Sequence, residues 1–370
     1  MYNWQYKNWP NFKFDLTRLE EQLIDIKSSV SLVTGAVSSL PEQLQSDTLI
    51  QIMVAEALKT SEIEGEHYSR IDVVSSIKKN LGLIVEKSPA NKNVIGLGEM
   101  LMDVRKSYKE PLTEEKLLEW HKQLMQTNKK INAGIYRKSD EPMLIISGSA
   151  SDPNIHFEAP PSFRVPDEMT NFINWFNQDN SNEKDWKLNC PPVKAAIAHL
   201  YFESIHPFED GNGRIGRAIA EKALSQGFGG PMLISLSKTI EKYRKEYYAN
   251  LKEAQRKLEI TKWIAWFVNI IDISHKETER LVKFIIIKMR FYDIYKNQLN
   301  DRQAKVIARM LEEGPDDFEG GINAKKYISI TGCSKATATR DLQDLRERGA
   351  ICQIGGSGRS TSYSVNLYTP

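Results

Sequence analysis

The sequence predicts a mainly α-helical chain that carries one short β-hairpin and ends in a separate unit of helices followed by a second hairpin. Three observations predict it. Apolar residues recur at three- and four-residue spacing through most of the first 300 positions, as in Ile50, Met53, Val54, Ala57 and Ser61. One stretch near 143–157 abandons that spacing for short β-type runs around a Ser- and Gly-rich segment. The last 70 residues change habit again, alternating short helical patterns with strand-like runs. A length of 370 residues allows two or three domains, and 41% hydrophobic with 26% charged residues is enough for cores of ordinary size, which excludes general disorder.

In chain order, helices are expected over 16–30 and 48–64, with Pro41 and Asp47 punctuating the connection. The pattern continues over 71–81, 113–126, 166–177 and 192–204, the last read as amphipathic. Thr113 suits a helix start. Pro166 suits a first turn, where its missing N–H would have no partner anyway. Met143 to Ile146 is a β-type run, 147–154 reads as a turn-rich loop, and Ile155 to Phe157 is a second run before Pro160 and Pro161, which makes a hairpin inserted in a helical region. Beyond 300 come helices over 301–313, 324–330 and 334–349, then strand-like runs over 351–354 and 361–367 around a glycine-rich turn. That is the element order of a winged helix.

A formal net charge of +2 says little about partners, since a dedicated nucleic-acid protein is usually more basic. Cys190, Cys333 and Cys352 lie far apart and form no C-x-x-C pair, which fits a reducing compartment and gives no zinc or redox motif. The first ten residues lack an apolar leader core, and apolar stretches such as 263–271 and 284–287 are too short to span a bilayer. A soluble, cytoplasmic protein without a membrane partner is expected.

The segment from Ser204 to Arg217 carries the strongest chemical signal. A helix ends near Ile205, and His206, Pro207 and Phe208 leave it. Asp210, Gly211, Asn212 and Gly213 form a tight turn, and a second helix begins at Arg214. A glycine turn feeding a helix N-terminus presents free N–H groups and the positive end of a dipole, which suits phosphate. Gly211 and Gly213 allow close backbone approach. Arg214 and Arg217 share a helix face and can grip further phosphate oxygens. Asp210 supplies a hard oxygen ligand for Mg²⁺. His206 is a titratable base beside them. Taken singly, a histidine, an Asp-Gly-Asn-Gly turn and two helix arginines are ordinary; their conjunction within twelve residues is what points to a site.

The string His206-x-Phe208-x-Asp210-Gly-Asn-Gly-Arg214-x-x-Arg217 resembles the signature of Fic-domain proteins at every position. Gly134, Tyr136 and Arg137 resemble a segment upstream of that signature, and the hairpin resembles the family's flap, which pairs with an extended stretch of the target protein. The resemblance implies a helical Fic fold with a small hairpin flap, divided as an N-terminal helical region over 1–90, a catalytic core over 91–290 and a winged-helix domain over 300–370. It implies protein adenylyltransferase activity with ATP and Mg²⁺. His206 takes the proton of a Ser, Thr or Tyr hydroxyl, Asp210 holds the metal, and Gly211, Asn212 and Gly213 stabilise the transferred phosphate. Arg214 and Arg217 hold the outer phosphates. Tyr247, Tyr248 and Gln255 line the adenine pocket. The acceptor is a protein substrate, the chain itself included, and a homodimer is expected. Trp4, Trp9, Pro10 and Phe12 and the terminal unit resemble extra parts of one bacterial subgroup.

Thr60 to Gly65 resembles the family's inhibitory motif, Ser/Thr-x-x-x-Glu-Gly. The resemblance implies that Glu64 pairs with Arg217 and brakes the enzyme. Read by itself, the segment is an acidic helix end closed by Gly65. Three other readings stay open. The same site could remove AMP, with Glu64 positioning water. A kinase-like relative is disfavoured because such relatives carry Lys where this chain has Gly213. Residues 301–370 could bind DNA through Lys335, Thr337, Thr339, Arg340 and Arg359. Five basic residues against three acidic over 331–370 is a thin footprint for phosphate, so docking or dimerisation is at least as well supported as a DNA-binding regulator.

Overall fold

The computed structural model describes residues 1–84, 91–149, 152–178, 190–312, 314–316, 318–355 and 361–367. The chain divides into two compact units, one of Met1–Gly35 with Gln45–Lys276 and one of Ala36–Leu44 with Glu277–Pro370. No helix of the described residues is long and apolar enough to cross a membrane.

Helices α1 (Glu20–Ser38), α2 (Glu42–Ile63), α3 (Arg70–Asn80), α4 (Lys92–Lys106) and α5 (Glu114–Met125) precede the hairpin. Thr113 caps α5, its side chain accepting from the N–H of Lys116 at 3.2 Å, with Glu114 and Glu115 at the positive helix end. Ile50, Met53, Val54, Ala57 and Ser61 are all buried, as their spacing on α2 requires. Helix α4 was not singled out by spacing. Gly96 and Gly98 interrupt its apolar stripe because neighbouring groups press against it: a Cβ on Gly96 would come within 1.9 Å of the Gln123 carbonyl oxygen.

Strands β1 (Leu144–Ser149) and β2 (Asp152–Glu158) pair antiparallel, Leu144 opposite Glu158 and Ile145 opposite Phe157, with a register irregularity after Ile145. The ladder therefore runs into residues expected as loop. Backbone hydrogen bonds carry it there, and these need no apolar alternation. Helix α6 (Val165–Asn177) follows, with Pro166 in its first turn.

At the centre of the first unit lie α7 (Pro191–Ile205) and α8 (Asn212–Phe228). The amphipathic reading of 192–204 does not hold. From Ala195 to Ile205 every residue of α7 is buried. Its polar groups turn inward and find partners: Ser204 donates to the Leu200 carbonyl at 2.7 Å and accepts from Asn3 at 2.8 Å, and His199 meets the Tyr247 hydroxyl at 2.9 Å. Helices α9 (Leu236–Lys242), α10 (Arg244–Ala254) and α11 (Thr261–Tyr295) complete the sequence to residue 295. The N-terminal segment straps onto this core. The Asn3 N–H donates to the Gln255 carbonyl at 2.7 Å, the Trp4 indole donates to the Glu158 carbonyl at 2.7 Å, and the Trp9 indole donates to Glu168 at 2.8 Å.

The second unit has its own core, including Phe291, Val306, Ile307, Tyr327, Leu342 and Leu345. Its elements are α12 (Asp301–Leu311), α13 (Ala324–Thr331), α14 (Lys335–Glu347) and an antiparallel hairpin of β3 (Ile351–Gly355) and β4 (Ser362–Val365). Asp341 on α14 is buried and accepts from Arg302 at 2.8 and 3.2 Å and from the Tyr327 hydroxyl at 3.0 Å. One of the three acids counted against DNA thus faces the core. Lys335, Thr339 and Arg340 are exposed and Thr337 is half-buried. Arg359 lies outside the described residues.

Candidate active site

Helix α7 ends on His206, whose φ of 50° is left-handed, the only positive φ outside glycine among the described residues. Such a backbone is uncommon for a side chain with a Cβ and persists only when neighbours fix it. Arg137 does so. Its guanidinium donates to the carbonyls of His206 at 2.7 Å, Ile205 at 3.3 Å and Pro160 at 2.5 Å and to the Ser162 hydroxyl at 3.0 Å, while its own N–H donates to Pro207 at 2.9 Å. Burial lowers its pKa to about 10, so it stays charged at neutral pH. Arg137→Lys should lower the melting temperature and slow any reaction at the site, because lysine has no planar fork to span these carbonyls. A cost of at least about 2 kcal/mol is expected from the lost charged bonds. Unchanged melting and turnover would show the clamp to be dispensable.

The following loop is fixed from two sides. The Asn212 side chain accepts from the Phe208 N–H at 3.0 Å and donates to the Phe208 carbonyl at 2.9 Å. The ring of His121 stacks on Phe208 with centroids 4.0 Å apart, and its Nδ1 accepts from the Gly134 N–H at 2.9 Å. Burial pushes the His121 pKa down to about 4, so this contact stays neutral. Asn212 thus has its side chain committed to the loop, and only its backbone faces the helix start. Gly211 takes φ of 82° as the residue before α8, which begins two residues earlier than expected and so brings Gly213 into the first turn. Asp210 is exposed; its carboxylate accepts from the Gly211 N–H at 2.6 Å and stands 3.6 Å from Arg214.

Both arginines are buried and both are held by carboxylates from the segment after α2. Glu64 meets Arg217 Nη2 at 2.9 Å, and Thr60 accepts from the same guanidinium twice, through its hydroxyl and its carbonyl, each at 2.9 Å. Burial works against the charge on Arg217, and Glu64, Tyr247 and Glu56 together more than offset it, so its pKa is raised. Glu66, which the sequence reading missed, meets Arg214 Nη1 at 2.6 Å and also accepts from the Tyr68 hydroxyl. Between the two carboxylates Gly65 has φ of 83°. Gly213 is equally constrained, since a Cβ there would lie 2.1 Å from Glu64 Oε1.

A cavity of about 610 Å³ opens beside these groups. His206, Gly213 and Glu64 form one part of its wall, and Tyr247, Tyr248 and Gln255 on or just after α10 form another. Tyr248 is the most exposed of these three, and its hydroxyl donates to the Ile63 carbonyl at 3.3 Å. Gln255 donates to the Glu203 carbonyl at 3.1 Å. Ile145 and His156 bring the hairpin to the same cavity. A second cavity, of about 670 Å³, lies near Arg137 and Phe163 and contains none of the expected site residues. Chemically, the first cavity offers an imidazole, the first turn of a helix and an aromatic wall, with Arg214 and Arg217 buried behind Glu64 and Glu66 rather than in its lining, an arrangement suited to a nucleotide with its phosphates toward α8.

Residues 111–224 match the Fic/DOC family, and residues 2–83 match a domain of unknown function (DUF4172). A probable protein adenylyltransferase of Aquifex aeolicus is 32% identical over 153 residues, 41% of this chain and 40% of that one. The protein adenylyltransferase Fic of Nematostella vectensis is 28% identical over 167 residues, 44% of this chain and 34% of that one. The matches thus span less than half the length of these curated relatives. Among solved structures, a Fic family protein from Desulfovibrio desulfuricans G20 covers 96% of this chain and 98% of its own at 20% identity, with a TM-score of 0.53. A Fic domain containing signaling protein from Bacteroides thetaiotaomicron VPI-5482 covers 71% and 96% at 19% identity, with a TM-score of 0.54. At such identities the likeness is one of fold.

Proposed function

From a chain that carries a Fic domain over residues 111–224, we propose an enzyme that transfers AMP from ATP to a Ser, Thr or Tyr hydroxyl of a protein, its own chain included. The observation that carries the reading is the convergence of His206, the first turn of α8, and Tyr247, Tyr248 and Gln255 on one cavity. His206 accepts the proton of the acceptor hydroxyl. Its oxygen forms a bond to the α-phosphorus as the bond to the bridging oxygen breaks, and pyrophosphate leaves. The turn of Gly211, Asn212 and Gly213 at the start of α8 stabilises charge on the transferred phosphate, the Gly211 N–H once released from Asp210, and Arg214 and Arg217 hold the outer phosphates. Asp210 is exposed beside the helix start and supplies a carboxylate oxygen, a donor set that fits Mg²⁺ carried in largely by the nucleotide. When bound, that ion neutralises charge on the leaving phosphates.

Glu64 acts as the brake, because an arginine already paired with a carboxylate holds a phosphate poorly. The exposed part of Glu64 in the cavity wall also favours the second reading, removal of AMP by a water that Glu64 positions. For the second unit, three helices followed by a hairpin support a winged helix, with docking or dimerisation at least as well supported as DNA binding. The unpaired cysteines suit a reducing, cytoplasmic compartment. Intact-mass measurement after incubation with Mg²⁺-ATP tests the function. A gain of one adenylyl group on the chain or on an added protein is expected. A gain of one phosphoryl group would replace the reading with a kinase.

A further inference from the structure

Glu203 is buried on α7, and none of the roles above uses it. Burial pushes its carboxyl up, yet His206, His199 and Arg217 together hold it below the usual carboxylate range. Its Oε2 lies 3.6 Å from His206 Nδ1. Its Oε1 and the Nδ1 of His206 are both sealed from solvent and make no hydrogen bond. Space for the carboxylate is left by a glycine across the helix pair: a Cβ on Gly216 would come within 2.8 Å of Glu203 Oε1 and 3.0 Å of His199 Nδ1. The Nδ1 of His206 is buried without a partner, and the nearer carboxylate oxygen, Oε2, stands just beyond hydrogen-bond reach, so a small closing movement satisfies the ring nitrogen. The unpartnered Oε1 lies on the side of Gly216 and of His199 Nδ1, which also lacks a partner. Catalytic contacts often stand long in the empty site and tighten once it is loaded.

We propose that Glu203 is the positioning residue of this site, accepting from Nδ1–H of His206 and so presenting Nε2 as the nitrogen that takes the acceptor's proton. The proposal rests on the reading of His206 as the base. The spacing supports it, because residues three apart at a helix end lie near one another, and the Glu203 carboxylate is the acid beside the His206 ring. When the acceptor gives its proton to Nε2, the ring becomes an imidazolium whose Nδ1–H remains on the carboxylate, and the acquired proton later passes to water. Other charges surround the pair. His199 stands beside Glu203 on α7, Arg217 on α8 and Glu64 just after α2. His156 on β2 and Tyr247 and Lys252 on α10 complete the near wall, with Arg244 and Lys245 on the same helix. None of these is altered by a Glu203→Gln change, which keeps the shape and removes the charge.

The test uses the full chain labelled with ¹⁵N-histidine, with the His206 signals assigned by their loss in His206→Ala. The expected result is a neutral His206 protonated at Nδ1, and a ring pKa that falls by about one unit in Glu203→Gln as the imidazolium loses its counter-charge. An Nε2-protonated ring, or the same titration in both proteins, would overturn the proposal, and the wild-type tautomer decides even if the variant does not fold. Neither readout needs adenylyl transfer, so failure of the proposed function stays distinguishable. In a Glu64→Gly background the same change should lower kcat about tenfold or more, leave KM for ATP within about twofold, and move the acid limb of the rate profile to lower pH. A merely structural glutamate would change stability without moving that limb.

Discussion

His206→Ala should lose AMP transfer by about a hundredfold to ten-thousandfold, the usual worth of a positioned base, while still binding ATP. The expectation follows from where His206 stands in the reaction coordinate. Proton transfer belongs to the transition state, so removing the base lowers kcat and kcat/KM together and leaves ground-state binding to Tyr247, Tyr248, Gln255 and the start of α8. One complication is conformational. The φ of 50° at position 206 disfavours alanine, by roughly 1–2 kcal/mol in this region. His206→Asn is therefore the better partner variant, since asparagine tolerates left-handed backbone and has no basic nitrogen. Initial rates with α-labelled ATP, together with ATP affinity and melting curves, check both. A variant that binds ATP and labels protein at the parental rate removes His206 from its assigned role.

The helical class and most helix positions were legible because burial on one face leaves a period in the sequence, as along α2. Helix α7 defeated that logic: buried from Ala195 to Ile205, it has no polar face for a period to reveal. The candidate site was legible as a motif because Gly211, Gly213, Arg214 and Arg217 stand together in a short stretch of chain at one helix start. Arg137, Glu203 and Glu66 were not read as site residues. Arg137 acts on backbone carbonyls sixty-nine residues away in sequence, a contact with no local pattern. Glu203 sits in an apolar run where an isolated acid looks like an exposed position. Glu66 follows a left-handed Gly65, and only the folded turn reveals that Glu64 and Glu66 reach two different arginines. Asn212 was legible as a site residue, but its side chain closes the loop onto Phe208.

Glu64→Gly should raise AMP transfer, most visibly as self-modification, by about tenfold to a hundredfold, since a misplacement near 1 Å can cost about a hundredfold. In the resting site the Arg217 guanidinium is held by Glu64 at 2.9 Å and twice by Thr60, and the Glu64 carboxylate lies where a Cβ of Gly213 would stand. A triphosphate entering along α8 therefore meets a negative charge at the turn that must cradle it, and finds its arginine occupied. Removing the carboxylate clears the turn and leaves Arg217 oriented by Thr60 alone. Helix α2 should stay in place, because Glu56 is buried and accepts from the Ser235 hydroxyl and the Ser237 N–H, each at 2.9 Å. Glu64→Gln keeps the length and removes the charge, so it separates repulsion from occupancy: a rise intermediate between parent and Glu64→Gly means that both contribute. Arg214 remains paired with Glu66 at 2.6 Å in either variant. Adding Glu66→Gln to Glu64→Gly should therefore raise the rate again, or lower KM for ATP, if Arg214 is needed for the outer phosphates. Initial label incorporation from α-labelled ATP ranks the four proteins. Equal rates throughout would make Glu64 an ordinary acid at a helix end. A fall in transfer accompanied by loss of AMP removal from a modified substrate would instead make it the group that positions water.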